Sequence, residues 1–191
     1  MSPQPSRAGR AAATILGAVA LGAACTGGPG TPPAPAATVE IPGGWSTVST
    51  TDGGLQLTLP PWLVLFDNVN AIFANEPPPG PGEEIPMQLM AMGPQADGQP
   101  GPGEDLGRWL ERRLADPGQG VPIVTRIDLP AGPAVRFDRT DRAGMPTAWR
   151  LLAFAIERPV GVAYLQIDGP PDAWPARIAD IERVVQLFRV R

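Results

Sequence analysis

The sequence predicts an α+β fold: a mainly antiparallel sheet of about six to eight strands with an amphipathic helix on each face. Three observations lead to it. Short runs with apolar residues at every second position recur between Gly- and Pro-rich turns, the pattern of strands joined by hairpins. Two segments, "EDLGRWLERRLADPG" and "PPDAWPARIADIERVVQLFRVR", instead space their apolar residues by three and four, which is the helical period. The hairpin "TAWRLLAFAIERPVGVAYLQIDG" has arms that are largely apolar on both faces, so it belongs in the middle of a sheet covered on both sides.

The elements follow in order. In "STVSTTDGGLQLTLP", Leu55, Leu57 and Leu59 alternate with Gln56 and Thr58, a strand with one buried face. Asp52-Gly53 marks a hairpin turn from a short strand near Thr47. "WLVLFD" and "AIFANE" are short apolar runs, again strand-like. "IPMQLMAMG" places Met87, Leu89 and Ala91 on one face and Gln88, Met90 and Met92 on the other. Two Gly- and Pro-rich breaks, 76–86 and 93–103, lack an apolar anchor and read as exposed loops, either harmless insertions or carriers of a binding site.

The first helix carries Leu106, Trp109, Leu110 and Leu114 in one stripe. Glu104 and Asp105 lie at its positive end, Arg112 and Arg113 near its negative end, and Asp116-Pro117-Gly118 stops it. The arginine pair is expected to be a solvated face beside Glu111 and Asp116, with a docking patch as the alternative. "VPIVTRIDLPAGPAVRFDRTD" reads as two strands around Pro130-Ala131-Gly132. Ile123, Ile127 and Leu129 share one face of the first, and Val135 and Phe137 share one face of the second. The two-sided hairpin has arms at Ala148–Ile156 and Val162–Ile167. The last helix places Trp174, Ile178, Ile181, Val185 and Phe188 in one stripe, with Asp172 as its N-cap and Pro175 in its first turn.

Upstream of this domain, Met1 to Arg10 carries Arg7 and Arg10 and no acid. Ala11 to Leu21 is unbroken and apolar, and Gly22, Ala23 and Ala24 are small. That is the order of a secretory signal, and its apolar run is shorter than the roughly 20 residues needed to span a bilayer. "LGAAC" closes it with Cys25, the single cysteine of the chain. The stretch resembles the lipobox of bacterial lipoproteins, with Gly22 standing where the family usually has a larger aliphatic. The resemblance implies lipid attachment at Cys25 and removal of residues 1–24. A plain secretion signal with a coincidental cysteine is the alternative. Residues 25–42 are Gly-, Pro- and Ala-rich and bury too little to offset their ordering entropy, so they are expected to tether one globular domain, 43–191, to the extracytoplasmic face of a cell membrane.

Composition narrows the function. The chain has no histidine, and all 15 basic residues are arginine. Setting aside Arg7 and Arg10 leaves 13 arginines against 19 acids, a net charge of −6, which argues against nucleic acid as a partner. Without histidine there is no Ser-His-Asp or Cys-His mechanism and no histidine-based metal cluster. No nucleophile elbow, phosphate loop or dinucleotide fingerprint occurs, so no cofactor is expected. The remaining chemistry is carboxylate pairs: Asp138 with Asp141 in "DRTD", and Glu83 with Glu84 in "GEE". Such pairs serve glycoside hydrolysis or hold calcium. Arg136, Arg139 and Arg142 interleave the first pair, which therefore reads as a self-neutralising surface turn.

"GGLQLTLPPWLVLF", "VTRIDLPAGPAVRFD", "WRLLAFAIERPVGVAYLQIDGP" and "IADIERVVQLFRV" resemble the PsbP-like superfamily of α/β/α sandwiches, including the LpqN-type bacterial lipoproteins. The resemblance spans most of Gly53 to Val190. It implies a protein-interaction role. Together with the lipobox and the absence of a catalytic motif, this gives the expectation of a lipid-anchored lipoprotein with an unidentified protein partner and no catalysis of its own. Two rivals stay open. One is a carrier of an apolar small molecule, suggested by Met87, Met90, Met92 and Met145, since methionine adapts to irregular ligands. The other is a carboxylate-dependent hydrolase. Lipidation has a direct test: the protein should partition into membranes and detergent, and Cys25→Ser should release it. Equal membrane retention of the serine variant would contradict lipidation at Cys25.

Overall fold

A computed structural model describes residues 40–191 apart from 84, 95–97, 102, 115–119 and 142–148, and the side chain of Asp141. Cys25, the signal-like segment, residues 25–39 of the tether, Met145 and the turn at 116–118 lie outside the described residues.

Among the described residues, ten strands and two helices form the domain. Strands β1 (Ser46–Ser49) and β2 (Leu55–Leu59) make the expected hairpin, in which Thr50 Oγ1 and the Gly54 amide both donate to Asp52 and Gly53 turns at φ +69°. β3 (Val64–Asp67), β4 (Ala71–Asn75) and β5 (Gln88–Met92) follow as a meander. Helix α1 (Leu106–Arg113) carries the chain to the far edge of the same sheet. There β6 (Ile123–Leu129), β7 (Gly132–Asp141), β8 (Trp149–Arg158) and β9 (Gly161–Gly169) return step by step until β9 pairs with β5. The seven-stranded sheet has the order β3-β4-β5-β9-β8-β7-β6, and every pairing in it is antiparallel.

The two-sided hairpin sits where its composition demands. Leu152, Phe154 and Ile156 of β8, with Ala163, Leu165 and Ile167 of β9, join one core beneath helix α2 (Trp174–Leu187). Leu151, Ala153 and Ala155, with Val162 and Tyr164, join a second core beneath α1. Trp174 belongs to the first core and Trp109 to the second, so the helices cover opposite faces as expected. Small Ala153 and Ala155 leave room for the two rings above them, Trp109 and Tyr164, which meet edge to face at 5.9 Å.

The β1–β2 hairpin, however, is a separate sheet. Leu55, Leu57 and Leu59 pack into the α2-side core, so that layer is a helix together with a small sheet. α2 ends at Leu187. Phe188 turns to extended backbone at φ −63°, ψ 131°, and β10 (Arg189–Val190) pairs with β2. The predicted helical stripe therefore stops one residue early, although Phe188 is still fully buried. The pairing supplies partners for the backbone of the last residues, which a longer helix would not. Asp172 is not the N-cap: Ala173 holds that position with no side-chain bond, and Pro175 lies in the first turn. At α1, Asp105 is the cap, accepting from the Gly107 and Arg108 amides.

The loop at 93–103 is less free than its composition suggests. The Gln99 side chain donates to the Val162 carbonyl and accepts from the Val162 amide at 2.6 Å, and Trp109 Nε1 donates to the Gly98 carbonyl. Its anchors are polar, which a search for apolar anchors misses. Gly161, at φ +136°, makes the approach possible, since a Cβ there would fall 2.4 Å from the Pro94 carbonyl oxygen. Phe188→Ala should cost about 3–5 kcal/mol as a core truncation, read as a lowered denaturant midpoint. Near-wild-type stability would mean that the α2-side core does not depend on its last aromatic.

Candidate functional site

Asp138 lies within β7, on the α2 side of the sheet, and the segment that reads as a surface turn is strand up to Asp141. Its partners are Arg136, at 2.8 Å, and Arg150 of β8, at 3.2 and 3.0 Å; Arg142 lies outside the described residues. Burial alone would raise the carboxyl's pKa, but the hydrogen bonds and charges of Arg150, and then of Arg136, outweigh it and hold the pKa below its usual value. Arg139 faces the other way, where it lies over the Phe137 ring and donates to the Leu114 carbonyl. Glu83 sits on an exposed loop, and the side chains of Asp141 and Glu84 lie outside the described residues. Among the described residues, no three of Cys, Asp or Glu gather as metal ligands.

The arginine pair on α1 also differs from expectation. Arg112 reaches back to Glu104, at 3.0 and 2.8 Å. Arg113 lies over both Trp109 and Tyr164, at 5.6 and 5.0 Å, and its guanidinium meets Met92 Sδ at 3.3 Å. Arg113 thus caps the aromatic pair of the α1-side core.

β9 carries a polar row that the sequence reading took for an apolar arm. Tyr164, Gln166 and Asp168 share the α1 face, and the Tyr164 hydroxyl donates to Gln166 Oε1. Asp168 accepts from Trp149 Nε1 at 3.1 Å, and burial raises its pKa. Burial likewise pushes the Tyr164 phenol well above its usual value. The signal was available in the two-residue period of "YLQID", but flanking Leu165 and Ile167 masked it.

Two surfaces remain open. The first is the edge strand β3, exposed along its length: Val64 is 55%, Phe66 81% and, just beyond, Val69 54% exposed. The opposite edge, β6, also exposes Ile123, but it carries Arg126 and Asp128 within the strand, the kind of charge that guards a sheet edge. β3 has one charge, Asp67 at its end, and a shift of register between Leu65 and Asp67.

The second is a groove of about 310 Å³ between α2 and the β6–β7 ribbon. Past the Asp138 bridge, a separate cleft of about 730 Å³ lies between Gly120–Ile123 and the ends of β7 and β8. Met87, Met90 and Met92 are elsewhere. Met87 is fully buried in the α2-side core, and Met90 packs against the α1-side core. Met92 lines a separate cleft of about 540 Å³ with Phe73 and Val160.

No known protein family model matches the sequence, and no curated protein matches it. Solved structures do match in fold. The Saccharomyces cerevisiae Ran-binding protein Mog1p is similar at a TM-score of 0.50 and 10% identity, over 76% of this chain and 95% of that one. A cyanobacterial PsbP from Synechocystis is similar at 0.48 and 14% identity, over 86% of this chain and all of the other. A Pseudomonas aeruginosa protein of unknown function scores 0.48 at 16% identity, over 77% of this chain and 97% of that one. The likeness to Mog1p shows a shared α+β architecture.

Asp168 provides a test by pH. A carboxyl whose pKa is raised by folding holds its proton more tightly when folded, so its contribution is lost as pH climbs from the unfolded value through the folded one. Asp168→Asn should keep the Trp149 bond, raise stability at neutral pH and flatten the stability profile above about pH 4. A variant less stable than wild type at neutral pH would show that the ionised carboxylate is what the fold needs.

Proposed function

We propose that the chain is a lipid-anchored lipoprotein of the extracytoplasmic membrane face, LpqN-type in organisation, that binds a protein partner and performs no chemistry of its own. The observation that carries this reading is the apolar edge strand. Monomeric proteins rarely leave contiguous large apolar side chains in water without use, and an edge strand with few charges offers N–H and C=O groups to an extended strand of another protein, here along a short strand whose register shifts between Leu65 and Asp67. Val64, Phe66 and Val69 supply side-chain contacts beside that backbone ladder. The occupant is therefore an extended segment of a protein partner with apolar residues, held at the membrane by the lipid on Cys25. Asp138 suits an anchor better than a general acid, because two arginines keep it ionised.

The test is crosslinking from intact membranes with a photoreactive residue at position 66, followed by purification. A discrete partner should be captured. Phe66→Asp should weaken its binding about tenfold or more at an unchanged melting temperature, whereas Val121→Asp beside the opposite edge should leave binding intact. Capture that is insensitive to Phe66→Asp, or a β3–β3 crosslink between two copies of the chain, would overturn this reading.

A further inference from the structure

We propose that the groove between α2 and the β6–β7 ribbon binds a single-chain amphiphile with an anionic headgroup, independently of any protein docked on β3. The smaller cavity is an apolar trough. Ile127, Leu129, Leu152 and Phe154 form its floor, and Ile178 and Val185 of α2 form its wall. Its volume falls at the lower end of the range of ligand sites, which combine apolar walls with a few placed polar groups.

Those polar groups stand at one end. Arg136 lines the trough itself, and its neighbour across the strands, Arg150, lines the larger cleft. The register puts Asp138 between them, opposite Leu152, so the bridge links Arg136 of the trough to Asp138 and Arg150 of the cleft. Two guanidiniums there share one carboxylate. The Arg136 side chain is 40% exposed; that of Arg150 is 27% exposed and lies over the Trp174 ring at 4.5 Å. Arg136 Nε is buried from water with no partner among the described residues. Arg139 also borders the larger cleft. Glu182, on the exposed side of α2, also lines the trough.

The arrangement selects by charge and shape. A carboxylate or phosphate matches the guanidinium fork with paired N–H donors. A cationic head would meet arginines whose one carboxylate is already shared. An apolar chain attached to the head would lie over Leu152 and Phe154 towards Val185, and the head would project into the roomier cleft.

Titration of the purified full chain, followed by backbone amide shifts, tests this with four ten-carbon probes kept below their micelle concentrations and with inorganic phosphate alone. Decanoate or decyl phosphate should saturate at one site, shifting amides around Ile127, Leu152 and Ile178, and the comparison between them identifies the preferred head. Decan-1-ol should bind at least about tenfold more weakly, and decyltrimethylammonium and inorganic phosphate should not saturate. Arg136→Gln should reduce decanoate binding to the level of decan-1-ol, and Arg136→Lys should recover part of the loss. Ile178→Trp, which fills the trough, should abolish binding of every chain. The proposal is overturned by equal affinity for decan-1-ol and both anions, by anion binding unchanged in Arg136→Gln, by shifts confined to the cleft around Phe73 and Met92, or by no saturable binding.

Discussion

Strand β8 sends Leu152, Phe154 and Ile156 to one side and Leu151, Ala153 and Ala155 to the other, and β9 beside it does the same with Leu165 and Tyr164. A hairpin apolar on both sides has to be covered on both sides, because each bare face would put several large side chains in water at roughly 1.5–3 kcal/mol apiece. The rest of the molecule is arranged around that demand. α1 and its aromatic pair close one face. α2 and the β1–β2–β10 sheet close the other, and Gln99 straps the 93–103 loop to the β9 backbone at Val162.

Cover of this kind is finite, and the open surfaces lie where it runs out. α1 is eight residues long and packs over β7 and β8. On the other side α2 lies beside β6 and β7 without closing over them, and the groove is the space left. At the sheet margins the two edges are treated differently: Arg126 and Asp128 guard β6, while β3 ends the sheet with Val64, Leu65 and Phe66. The proposed partner strand and the proposed amphiphile therefore use separate faces of one scaffold, and neither requires the sheet to rearrange.

Much of this was legible from local pattern. The alternation in "LQLTL" and "MQLMAM", the stripes through Trp109 and Trp174, and the two-sided hairpin all follow from side-chain periods of two and of three to four. These periods settle which face each residue takes before any contact is known. What escaped depends on partners distant in sequence. Nothing near Val190 announces that it pairs with Leu55, and so the small sheet was not foreseen as separate. Asp138 was read with its sequence neighbours, yet the pairing of β7 with β8 brings it Arg150. Trp62 and Asp180, which hydrogen-bond at 2.7 Å across 118 residues, are a further case. Polar anchors such as Gln99 escape hydrophobic patterning altogether.

The most direct measurement is native-state amide hydrogen exchange on the purified protein, resolved residue by residue, alone and after addition of the captured partner. Backbone amides of β8 and β9 should be the slowest in the chain, exchanging only with global unfolding, because both faces above them are closed. The outward-facing amides of β3 should exchange fastest among the strands of the large sheet and become protected when the partner binds. Fast exchange in β8, or β3 amides already protected in the protein alone and unchanged by the partner, would contradict the doubly covered hairpin and the open edge on which the binding role rests.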